Sequence, residues 1–150
     1  MSNSIDSIVN KEFFKNIEDI IIMPNSKGGY DIFNKYRLIK SSKDISIYDS
    51  SQEKYYRFNY LKNALVWCIL DKHFLIVDSK RLQELDITLA SLNTTIEHQN
   101  KIISKKNKQD KEILRAKIRE NTHKRALVIE ECQTLELRAR ILQSKKFDKR

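Results

Sequence analysis

Residues 82–103, LQELDITLASLNTTIEHQNKII, set Leu82, Leu85, Leu89, Leu92, Ile96, Gln99 and Ile103 at alternating spacings of 3 and 4. Six of these seven positions are apolar, which is the heptad signature of a helix that buries one seam. The same rhythm returns in residues 114–142, LRAKIRENTHKRALVIEECQTLELRARIL, through Leu114, Ile118, Asn121, Arg125, Val128, Cys132, Leu135, Ala139 and Leu142. Between the two runs lies Lys105-Lys106-Asn107-Lys108-Gln109-Asp110, which has no apolar residue. Two heptad runs joined by a short polar stretch fold most simply as an antiparallel helical hairpin. One continuous helix is the alternative, and it would need a partner to bury the seam.

A turn at residue 107 or 108 sets Ile96 near Ile118, Leu92 near Asn121, Leu89 near Arg125, Leu85 near Val128 and Leu82 near Cys132. The second helix then overshoots the first by about ten residues, roughly 15 Å at 1.5 Å per residue. Leu135, Ala139 and Leu142 lie on that overhang and must pack on whatever precedes the hairpin. Leu127, Leu137 and Ile141 form a second apolar stripe off the seam, to be covered by the rest of the chain or by a partner. Asn121 and Arg125 interrupt the seam. The simpler reading is a loose seam with an outward-reaching guanidinium, and the sharper one is a polar layer that sets register, or a contact to a partner.

Working outward, residues 61–72, LKNALVWCILDK, are apolar almost all round, as in a helix buried on every side. Asn59 is a suitable N-cap for it, and Asp78 for the first hairpin helix. Three β-branched and aromatic runs precede it: YDIFNKYRLI from Tyr30, DISIYD from Asp44 and KYYRFN from Lys54. Ser-rich breaks separate them, so a three-stranded antiparallel meander is expected. Phe74 to Val77 is short enough to be an edge strand or a linker. At the N-terminus, Ile5, Ile8, Val9, Phe13, Ile17, Ile20 and Ile21 make one helical stripe, although Ile20 to Met23 before Pro24 could begin a strand. The expected architecture is α+β. It has a small domain over residues 1–77, with an N-terminal helix, a three-stranded meander and a buried helix, followed by a hairpin over 78–150.

The 150 residues carry 29 Lys or Arg against 20 Asp or Glu, a net charge of +9. Residues 79–150 hold +8 of it, and residues 101–125 alone hold ten basic against three acidic side chains. Lys101, Lys105, Lys106, Lys108, Lys111 and Arg115 are therefore candidates for an acidic partner such as nucleic acid. No aromatic residue lies between Phe74 and Phe147, so binding there would engage phosphates without base stacking. The sheet offers a second basic set, Lys35, Arg37 and Arg57 among Phe33, Tyr55 and Phe58.

Catalytic chemistry finds little support. The two glycines, Gly28 and Gly29, exclude a glycine-rich phosphate cradle. His73, His98 and His123 have no Cys or His at zinc-ligand spacing. Cys68 and Cys132 lie far apart in apolar or helical settings, which suits a reducing compartment and unreactive thiols. The longest apolar run, Ala64 to Leu70, is far below the roughly 20 residues of a membrane helix. The N-terminus lacks a secretory pattern. No cofactor, metal, membrane contact or small-molecule substrate is expected, and the location is cytoplasmic.

Two resemblances add to this reading. Three strands backed by a helix, over about residues 30–72, resemble the plant AP2 domain and the arm-binding domain of tyrosine recombinases, which lay the sheet in the major groove. The glycine and tryptophan sheet motifs of those domains have no counterpart here, so no site residue carries over. The stretch YRFNYLKNALVWCILDK, residues 56–72, followed by an acidic-capped heptad helix, is similar to small uncharacterised proteins of tailed phages of marine bacteria. That likeness implies host cytoplasm and no assigned activity. The chain is expected to be a non-enzymatic adaptor or assembly protein, possessing a protein partner or associating with itself. Nucleic-acid binding through the hairpin tip or the sheet is the alternative.

Overall fold

The computed structural model describes residues 22–24, 29–33 and 35–148. The expected N-terminal helix over residues 5–21 lies outside them. The architecture is α+β. An antiparallel meander contains β1 (Ile22–Pro24), β2 (Tyr30–Ile32), β3 (Tyr36–Lys40), β4 (Ile45–Asp49) and β5 (Lys54–Phe58), in that spatial order. Three helices follow: α1 (Leu61–Lys72), α2 (Ile76–Ile102) and α3 (Lys108–Asp148), with a 3-10 turn at Ile103–Lys105.

The sheet corrects the expectation of three strands. The run from Tyr30 to Ile39 is not one strand but two, because the chain reverses after Ile32 and pairs Ile32 with Tyr36. Phe33 adopts a left-handed φ of 57°, and the Lys35 amide donates to the Ile32 carbonyl at 3.1 Å. β1 adds a further strand on the free edge of β2, with Ile22 opposite Ile32. The β3–β4 and β4–β5 ladders put Leu38 opposite Ile47, Ile47 opposite Tyr56 and Ile45 opposite Phe58. Alternation then sends Ile32, Tyr36, Leu38, Ile45, Ile47 and Phe58 into the core.

α1 has the bounds expected, and all seven residues from Ala64 to Leu70 are buried. Trp67 is the hub, with Tyr56 at 4.4 Å, Tyr36 at 5.8 Å and Phe58 at 5.9 Å between ring centroids. The start of α1 differs from expectation. Tyr60 is the N-cap residue and offers no side-chain cap. The carboxylate of Asp86, from α2, does that work. It accepts from the backbone amides of Asn59 (2.7 Å) and Tyr60 (3.2 Å) and from the side-chain amides of Asn59 and Asn63. Asp86 is fully buried, so four donors replace its lost water.

Phe74 to Val77 is not a strand: Phe74 and Leu75 link two helices, and Ile76 and Val77 already belong to the second. α1 ends at His73, Phe74 takes the left-handed position that usually falls to glycine (φ 65°), and α2 starts at Ile76 after Leu75. Asp78 lies in the first turn of α2 rather than at its cap. With glycine confined to residues 28 and 29, the left-handed positions of three turns fall on Phe33, Glu53 and Phe74.

The two long helices are separate. Lys106 is extended (ψ 155°), and Asn107 caps α3 by accepting from the Asp110 amide at 2.9 Å. Bonds between Gln99 and Asn121, Asn93 and Arg125, Arg81 and Glu131, and Asp78 and Arg138 run antiparallel down the pair. The overhanging Leu135 and Ala139 are buried, with Leu142 packed beside them, in the cluster that holds Leu82, Leu85, α1 and the sheet. One hydrophobic core thus runs through the expected boundary at residue 77.

Candidate functional site

The lower hairpin, next to the sheet and α1, is stitched by charge pairs. Arg81 grips Glu131 with two parallel bonds, Nε to Oε2 at 2.5 Å and Nη2 to Oε1 at 2.9 Å. Arg138 pairs with Asp78, and Lys62 of α1 meets Glu136 at 2.8 Å. The Arg81 guanidinium holds the Glu131 carboxyl below its ordinary range.

Midway up, the polar interruptions of the seam are engaged. Arg125 donates to the Asn93 side chain at 3.2 Å, Asn93 donates to the Tyr60 hydroxyl at 2.6 Å, and Asn121 donates to Gln99 at 3.2 Å. Arg125 is therefore not reaching into solvent, as the simpler reading had it. The layer ties α3 to α2 and on to the N-terminus of α1, because each polar side chain finds a partner at one register only.

α1 covers one flank of the hairpin, the flank of Asp86, Asn93 and Glu136. At 100° per residue, Arg81, Leu85, Thr88 and Leu92 of α2 face the other way, as do Lys124, Leu127, Val128 and Glu131 of α3. Those eight residues line an open groove of about 350 Å³ with a leucine and valine floor and a charged rim. Leu127 is 52 % exposed on its edge. Leu137 and Ile141, one turn apart and about 15 Å further along α3, are 53 % and 46 % exposed. The described residues thus cover Leu127, Leu137 and Ile141 only by about half. Val77 and Phe74, both more than four-fifths exposed, lie at the same end of the hairpin. The groove was missed in sequence because its lining alternates between two helices. Leu85 and Leu92 read simply as seam residues.

The tip is different. Lys101 pairs with Glu97 and Lys124 with Glu120, each one helical turn away. Lys105, Lys106, Lys108, Lys111, Arg115, Lys117 and Arg119 have no ion-pair partner among the described residues. Arg119 joins the candidates as the residue one turn beyond Arg115.

On the sheet, the second basic set is dispersed and compensated. Phe58 is buried, Arg37 faces Asp31 at 3.7 Å and Arg57 faces Asp44 at 3.8 Å. Lys35 reaches inward to Asp71 (3.4 Å) and Asp49 (3.9 Å), and the Tyr36 hydroxyl donates to Asp71. Burial and Asp71 push the Tyr36 phenol far up, so it stays protonated and serves as a tether between β3 and α1. Burial likewise raises the Cys68 thiol, and it pushes Cys132 up to about 11. No group of His, Cys, Asp and Glu among the described residues could hold a metal ion. No described helix is long and apolar enough to cross a membrane. No protein-family model, curated protein or solved structure matches the chain.

Proposed function

We propose that the protein is a non-enzymatic assembly protein of the cytoplasm, which docks through the open flank of its helical hairpin onto a second copy of itself. The observation that carries this reading is the exposed apolar surface of α3, Leu127 with Leu137 and Ile141, beside a groove that α1 leaves uncovered. Charge supports a second copy as the occupant. On a +9 chain most faces repel their own kind. Along this flank Asp78, Arg81, Glu131 and Arg138 neutralise one another, and Lys124 is matched by Glu120. Magnitude supports use of the whole flank. Three half-exposed side chains contribute about 1 kcal/mol each when covered, less than the 4 kcal/mol or more that association costs. The groove floor must be filled too.

Size-exclusion chromatography with light scattering tests this. A particle of at least twice the 17.8 kDa chain mass is expected at micromolar concentration. Leu127→Asp with Leu137→Asp, both at exposed positions, should return it to one chain with unchanged helicity. A wild-type monomer throughout the micromolar range removes the proposal.

A further inference from the structure

We propose that the hairpin tip binds the phosphate backbone of duplex nucleic acid without reading its sequence. This inference is independent of the docking flank. Lys108, Lys111, Arg115 and Arg119 follow one another at spacings of 3, 4 and 4, so they share one face of α3 over about 16 Å. Lys105 and Lys106 extend the cationic surface around the turn. At the base, Lys62, Arg81, Arg138 and Arg140 are each matched with a carboxylate, whereas these six have no ion-pair partner among the described residues. Lys111 with Arg115 and Arg115 with Arg119 are like-charge pairs at i,i+4, which weaken the helix by a few tenths of a kcal/mol each. An anionic ligand relieves that repulsion and releases condensed counterions.

The shape selects among anions. With no aromatic residue from 75 to 146, the tip has no platform for stacking bases, which single-strand binders use. Two helices side by side, with axes 8–10 Å apart and each about 10 Å thick, are too wide for a major groove of about 12 Å. The tip therefore lies across phosphates instead of entering the groove. A bilayer surface would require apolar residues flanking the basic face. The exposed Ile113 lies near the opposite side of the helix, 200° from both Lys111 and Arg115 at 100° per residue.

Fluorescence anisotropy on the whole chain, with a labelled 20-base-pair DNA duplex, is the test. Four phosphate contacts predict a log–log salt slope of about −3.6, or about 100-fold weaker binding at 200 mM than at 50 mM salt. Changing the duplex sequence should leave affinity unaltered. Lys108, Arg115 and Arg119 are exposed and Lys111 is half-buried beside the seam, so Lys108→Ala, Lys111→Ala, Arg115→Ala and Arg119→Ala combined should keep the fold, checked by circular dichroism. They should abolish most of the salt slope and weaken low-salt binding at least 100-fold. No binding at 50 mM salt overturns the proposal, as does binding that the four substitutions leave intact. Tighter capture by phosphatidylserine vesicles than by the duplex would assign the face to a membrane and overturn it equally.

Discussion

The two ends of the hairpin are made from the same pair of helices and solve opposite problems. At the base, Leu82, Leu85, Leu135 and Ala139 join the core of the sheet and α1, and the charges around them are matched across helices. At the tip, beyond the Gln99–Asn121 bond, the pair is narrow, the core thins to half-buried residues such as Ile118, and unpaired cations accumulate. A charge matched internally stabilises the fold but has little left for a ligand. A charge left open destabilises the fold slightly and stays available. The base is therefore read as architecture and self-docking surface, and the tip as the place for an anionic partner.

The largest break of this contrast comes from truncating equivalent leucine-like residues at each end. Leu135→Ala at the base should cost about 2–5 kcal/mol, as buried large-to-small changes do, while Ile113→Ala at the tip should cost under about 0.5 kcal/mol. Urea titration followed by circular dichroism measures both, and equal losses would contradict the division. Next comes Asp86→Ala, which strands buried amides at the N-terminus of α1. It should cost about 3 kcal/mol, a larger effect than any surface charge removal.

How far these features were legible in the chain depends on the range over which they are determined. The heptads placed the turn at 107 or 108 because side-chain periodicity is local, and Asn107 caps α3 there. α1 was readable because a run from Ala64 to Leu70 has no solvent face to offer. The β2–β3 reversal was not, since Phe33 is a poor left-handed residue and only Asn34 marks a turn within a ten-residue β-prone run. Asp86 was invisible as a cap because Asn59, Tyr60 and Asn63 lie 23 to 27 positions away. Arg125 read as a surface cation for the same reason, because Asn93 is 32 positions distant. The basic candidates at the tip were legible from charge counting. That they lack ion-pair partners required the fold.

Two smaller effects sharpen the account of the base. Burial lifts the Cys132 thiol from its ordinary 9.0 to about 11. The unfolded chain therefore loses this proton first. The stability from the neutral thiol is complete below about pH 9 and falls as pH rises toward 11. Discounted for its half-open position, the loss is about 1 kcal/mol, and Cys132→Val should flatten the decline in urea titrations at about pH 8 and pH 10.5. Finally, Phe74→Gly relieves a left-handed backbone position at an 87 % exposed side chain and should gain about 0.5–1 kcal/mol. A loss there would mean that Phe74 already packs on something.

Hydrogen exchange read by mass spectrometry, above and below the concentration at which chains associate, tests the docking account most directly. The account predicts added protection over residues 81–92 and 124–141 at high concentration, with residues 105–119 unchanged. Protection gained at the tip, or none on the open flank while the particle mass doubles, would contradict it.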